Sequence, residues 1–188
     1  MTYLSGIKEF IQSWDDCFVE VTDTDVFSRS PQGNINSDGT SACYNSPAFT
    51  KYHRYFKKSL EPGIQELAIA LILKFNCITY SSCQGHYSTA DAAWRPRYVA
   101  IIPRNPQEYE QFFNLFHRLA NLINQQIPHN SVQVAIGDDT LESENCLMPG
   151  ITLFFVSDQS DESLYFQNVE IAYQKALEVV QNYSSDSW

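Results

Sequence analysis

The feature that most limits this chain is the pairing of its strand signals. Residues 77–81 and 97–103 form one pair of β-prone apolar runs, and 131–136 (SVQVAI) and 150–157 (GITLFFVS) form another. Neither pair holds a strong helix between its members. A parallel doubly wound sheet alternates strand and helix strictly, and this chain does not. Long amphipathic stretches lie between the pairs instead. Residues 62–76 carry Ile64, Leu67, Ala68, Leu71, Ile72 and Phe75 at helical spacing, behind a proline at the first position. Asn105-Pro106-Gln107-Glu108 is a cap, a proline at N1 and an acid at N3. Behind it run Phe112, Phe113, Phe116, Leu119 and Ile123. A last helix covers about 160–182, with Phe166, Val169, Tyr173, Ala176 and Val180 in register. Paired strands separated by long helices predict an α+β two-layer sandwich, a mostly antiparallel sheet packed against long helices.

The flanking segments read less sharply. Residues 3–14 place Leu4, Ile7, Phe10, Ile11 and Trp14 on one helical face, and 18–22 alternates like a short strand. Residues 23–46 are rich in Ser, Asn, Asp, Gly and Pro and are predicted to be a long surface loop, a candidate lid. Ser46-Pro47 predicts a helix over 47–58, and 137–149 (GDDTLESENCLMP) is predicted to be an acidic loop.

At 188 residues, with 44% hydrophobic and 14% aromatic content, the chain suits one domain over 1–188 and is too apolar for disorder. No apolar run reaches the roughly 18–20 residues that span a bilayer, and the N-terminus lacks a signal-peptide pattern, so no membrane association and a cytoplasmic location are expected. Five cysteines with no C-x-x-C pair are expected to be reduced thiols. The formal charge of −10 falls wholly in residues 105–188, which hold 12 acidic and 2 basic residues, whereas residues 1–104 hold 10 of each. General nucleic-acid binding, which needs a positive face, is not expected.

Residues 77–88, CITYSSCQGHYS, carry the reactive side chains. Gly85 sits past the strand end, where φ > 0 would let the chain turn and display Cys83 and His86. Three chemistries fit. Ser81-Ser82-Cys83-Gln84-Gly85 has the small-x-nucleophile-x-small spacing of a nucleophile elbow, with Cys83 attacking and His86, His53, His117 or His129 as base. Cys83 and His86 are also a ligand pair for a metal, but a closed zinc site needs four ligands, and Cys43, Cys77 and His53 are remote or on uncertain faces, so no metal site is expected. Third, Ser81, Ser82, Gln84 and the amides around Gly85 form an anion-binding turn, with Arg95, Arg97 and Lys57 orienting the ligand. A buried cysteine acting as a small hydrophobe, beside a histidine bonded to backbone, would account for the same residues.

The helix over 62–76 followed by ITYSSCQGH resembles the wybutosine-synthesis methyltransferase family, in which a comparable strand ends in Ser-Ser-Cys-Ser-Gly-Arg. Ser81, Ser82, Cys83 and Gly85 match, while Gln84 and His86 differ. That resemblance implies S-adenosylmethionine chemistry on transfer RNA. Ser82-Cys83-Gln84-Gly85-His86 with Pro96-Arg97-Tyr98 also resembles uncharacterised bacterial and phage proteins, which implies no activity. The reading that leads is an anionic small-molecule or nucleotide-like ligand pocket at the Ser82–His86 turn. A cysteine-dependent hydrolase or transferase and a non-catalytic interaction module are the alternatives. Cofactor and oligomeric state are not specified by the sequence.

Overall fold

The computed structural model describes residues 2–3, 6–18, 49–90, 93–128, 132–143, 146–158 and 161–184. In chain order the elements are β1 (Thr2–Tyr3), α1 (Ile7–Ser13), α2 (Phe56–Ser59), α3 (Pro62–Phe75), β2 (Ile78–Cys83), β3 (Tyr98–Ile102), α4 (Pro106–Asn124), β4 (Gln133–Ser143), β5 (Cys146–Val156) and α5 (Glu162–Asn182). The strands form one sheet in the order β1-β4-β5-β3-β2. Its pairings are antiparallel except for the short β1–β4 contact. The expected α+β architecture is therefore present.

The helices form where capping and apolar period agree. Asn105 accepts a bond from the Glu108 amide at 2.9 Å and so caps α4, and Asp161 does the same for α5 through Leu164 at 3.1 Å. Asn76 ends α3 in the left-handed region, φ 54°, a conformation asparagine tolerates. Helices α3 and α4 both pack against α5, and the layer they make covers the sheet. Val99, Ile101, Ile151, Leu153 and Phe155 from the strands meet Leu67, Leu71, Phe116, Leu119, Tyr165 and Ala176 from the helices, all buried in one continuous core.

Three expectations change. The segment expected as an acidic loop over 137–149 is strand in its described parts, 137–143 and 146–149: β4 and β5 pair in register from Gln133↔Val156 to Ser143↔Cys146. Its charges sit near a sheet border, where solvent and phenols accept them. Asp138 takes a bond from Tyr109 at 3.0 Å and Asp139 from Tyr80 at 3.4 Å. The helix expected over 47–58 shrinks to the single turn of α2, preceded by turns. There the Tyr55 amide donates to the His53 ring at 3.2 Å instead of a helical carbonyl, a local side-chain bond of the kind that competes with helix. The first helix runs over Ile7–Ser13 rather than 3–14. The loop expected over 23–46 and the strand over 18–22, Phe18 apart, lie outside the described residues, as do Cys43 and His129.

Strand β5 supplies the centre of the core, and Leu153 is fully buried between sheet and helices. Leu153→Ala should cost about 2–5 kcal/mol. Equilibrium denaturation would measure this, and an unchanged midpoint would contradict the packing described.

Candidate functional site

Helix α3 and strand β2 run side by side in opposite senses. Fourteen helical residues rise about 21 Å, and the six of β2 return about 20 Å. The end of β2 therefore comes back to the start of α3, and Glu61, just before Pro62, meets the turn after Cys83.

Glu61 is the centre of this meeting. It holds the N-cap position of α3 but makes no cap bond with its side chain. The carboxylate instead accepts the Gln84 amide at 2.7 Å on one oxygen and bonds His86 Nε2 at 2.7 Å on the other. Its side chain is only 7% exposed and that of His86 17%. The side chain of Gln84 crosses back and accepts the Gly63 amide at 3.0 Å. Cys83 is 4% exposed, yet lies apart from the main apolar core. One ligand-type atom each from Glu61, Cys83 and His86 lie within 4.8 Å of one another.

The turn beyond Cys83 keeps strand register. His86 and Arg95 form an antiparallel bridge, with amide–carbonyl bonds of 3.0 and 2.9 Å, in phase with Cys83↔Tyr98. Gly85 has φ +88°, as expected for the turn. A Cβ there would lie 3.1 Å from Phe166 Cε1 and 3.4 Å from the Arg95 carbonyl.

Burial pushes the Cys83 thiol up to about 11, and the Glu61 charge pushes the same way, outweighing a bond from the Gly85 backbone and the Arg95 charge. A nucleophile needs the opposite shift. Among the described residues no helix follows Cys83 before β3, so the strand-to-helix elbow is not formed. The other two described histidines have different partners: buried His53 stacks on Phe49 at 4.4 Å and His117 packs on Phe113 at 4.4 Å.

The residues assigned to anion binding are only partly gathered. Ser81 and Ser82 lie within β2, and Ser81 bonds the Tyr98 hydroxyl at 2.9 Å. Arg97 is buried and structural: Nε donates to the Gln84 carbonyl at 2.9 Å, Nη1 to Glu170 at 3.1 Å, and the guanidinium lies 4.6 Å from the centre of the Tyr173 ring. Arg95 sits across the ladder from His86. Lys57 is exposed on α2. The Gln84 and His86 amides are already bonded, and a buried carboxylate stands beside them.

Glu61 is the residue that motif reading missed, because it lies 22 positions before Cys83. The signal was the matched length of helix and returning strand. No family model, no curated protein and no solved structure matches this chain.

Two outcomes test this geometry. Because the folded thiol is raised, its contribution to stability is complete below the unfolded value near 9 and is lost as pH climbs through about 11. The native chain should therefore lose stability between pH 9 and 11 by more than Cys83→Ala does, measured by chemical denaturation. Equal losses would remove the thiol from that role. Separately, Gly85→Ala should destabilise by about 1–3 kcal/mol through its positive φ and the Phe166 contact, and a neutral effect would contradict the turn.

Proposed function

We propose that this chain is a metal-binding protein whose centre is Glu61, Cys83 and His86, holding a divalent transition ion of the zinc class. The supporting observation is the convergence of one carboxylate oxygen, one thiol and one imidazole nitrogen around a buried acid. Each is a zinc ligand type, and the mixed sulfur, nitrogen and oxygen set favours zinc over magnesium or calcium. Zinc bonds of about 2.0–2.3 Å in a tetrahedron place ligand atoms about 3.3–3.8 Å apart. The 2.7 Å Glu61–His86 contact would open slightly as its proton gave way to the ion. The second Glu61 oxygen would keep the Gln84 amide at 2.7 Å, and that outer bond would hold the carboxylate in orientation.

Three protein ligands leave a coordination position for water or a ligand, the pattern of catalytic rather than closed structural zinc. The ligand-pocket expectation for the Ser82–His86 turn carries over in this form. A cation suits a site built on a buried carboxylate better than a bare anion does, since an unmetallated site would set Glu61 against any incoming negative charge.

Cobalt(II) reports on such a site directly. Titration should give a thiolate-to-cobalt charge-transfer band with saturation at one equivalent. Cys83→Ser should lose the band, and Glu61→Gln or His86→Ala should weaken binding by about 100-fold or more, above the 10–100-fold typical of outer-shell losses. A full-length folded protein that shows no thiolate band would sink the proposal and leave the trio as a polar link between α3 and the turn.

A further inference from the structure

Gln84 stands between Cys83 and His86 in the chain and is held at three points. Its amide donates to Glu61 at 2.7 Å, its carbonyl accepts Arg97 Nε at 2.9 Å, and its side chain accepts the Gly63 amide at 3.0 Å. Peptide units are planar. Pinning the amide before the Gln84 Cα and the carbonyl after it therefore fixes how the two planes are turned against each other. The path from the Cys83 sulfur to the His86 ring runs through those planes. Gly63 lets the groups close up: a Cβ on it would lie 3.0 Å from the Gln84 Cβ and 3.4 Å from Arg97 Nη2.

Arg97 is itself held from behind and is 7% exposed. Nη1 donates to Glu170 at 3.1 Å, and the guanidinium lies 4.6 Å from the centre of the Tyr173 ring, both on α5. Its backbone is fixed as well: the amide donates to the Tyr165 hydroxyl at 2.7 Å and the carbonyl accepts the Phe155 amide at 3.0 Å. The Glu170 carboxylate offsets the guanidinium charge, and Glu162 on the same helix takes the Ser88 amide and hydroxyl at 2.6 Å. What Arg97 gives the turn is therefore a directed bond rather than a positive field. A planar guanidinium fork bonds the Gln84 carbonyl and Glu170 at once, whereas an ammonium is a compact point charge.

We propose that Arg97 is the positioning residue of the metal centre: by holding the Gln84 carbonyl from α5, it sets how Cys83 and His86 are presented and hence the geometry around the ion. This rests on the metal reading above. Among the described residues, the side-chain hydrogen bonds of Arg97 go to Gln84 and Glu170 and to no ligand side chain, so it acts through Gln84.

The test uses the full chain and cobalt(II), whose visible ligand-field bands report coordination geometry and whose charge-transfer band reports the Cys83 thiolate. Arg97→Lys keeps the charge and loses the fork. It should still bind one equivalent with the thiolate band present, but about 10–100-fold more weakly, the range of outer-shell losses, and with shifted, weaker ligand-field bands. Glu170→Gln, an exposed change one bond further out, should move the same bands in the same direction by less, and it decides the matter if Arg97→Lys does not fold. Leu153→Ala, which lowers stability from the core, should leave the bands in place. Bands that stay put in folded Arg97→Lys, or in Glu170→Gln where that variant decides, would overturn the positioning role and leave the metal centre standing. An equal shift in Leu153→Ala would do the same. A native chain that takes up no cobalt would end both readings.

Discussion

A single buried carboxylate ties the two halves of this fold's working end together. A charged group in the interior is tolerated only when its hydrogen-bonding capacity is met, and Glu61 meets it from the turn after β2, through the Gln84 amide and the His86 ring, with the Cys83 thiol close by. The turn answers through the Gln84 side chain, which accepts the Gly63 amide in the first turn of α3. The result is a closed circuit between a helix start and a strand end. Arg97 locks the circuit onto α5 by bonding the Gln84 carbonyl and Glu170, and Tyr165 passes a further link from the Arg97 amide to the Phe155 carbonyl of β5 at 2.7 and 3.1 Å. Site and core therefore share one polar framework.

That framework narrows the chemistry. Burial, and after it the carboxylate that organises the turn, raise the Cys83 thiol, which works against a free thiolate nucleophile. The amides of Gln84 and His86 are spent on Glu61 and Arg95, which works against a bare anion-binding turn. A divalent cation reverses both effects, because it stabilises thiolate and carboxylate together.

Much of the architecture is legible in the sequence, because its signals are redundant. In α4 the Asn105 cap, the proline behind it and the aromatic stripe agree, and the helix starts where they place it. Strand β5 concentrates Ile151, Leu153, Phe154, Phe155 and Val156 within six residues. The failures occurred where one signal hid another. Acidic residues make 137–149 look like a loop, although Leu141 between them is fully buried and Asp138, Asp139 and Glu142 line β4. Phe49, His53 and Tyr55 defeat the helix implied by Ser46-Pro47, because side-chain bonding and ring packing win locally. At the site, Cys83, His86 and Gly85 were found as a motif, since they are adjacent in sequence. Glu61 was not, because its contribution depends on a helix and a strand of nearly equal length folding back on one another. The contacts of Arg97 are hidden for a similar reason: sequence shows a cation near a turn but not the Glu170 and Tyr173 that meet it on α5.

The most direct measurement is anomalous diffraction at the zinc edge from crystals of the zinc-loaded full chain. A single peak is expected between Glu61, Cys83 and His86, about 2.0–2.3 Å from one atom of each, with the Gln84 amide still on the far carboxylate oxygen. Crystals with no peak there, in which Glu61 still bonds His86 at 2.7 Å, would contradict the metal centre and leave Glu61 as a purely structural link.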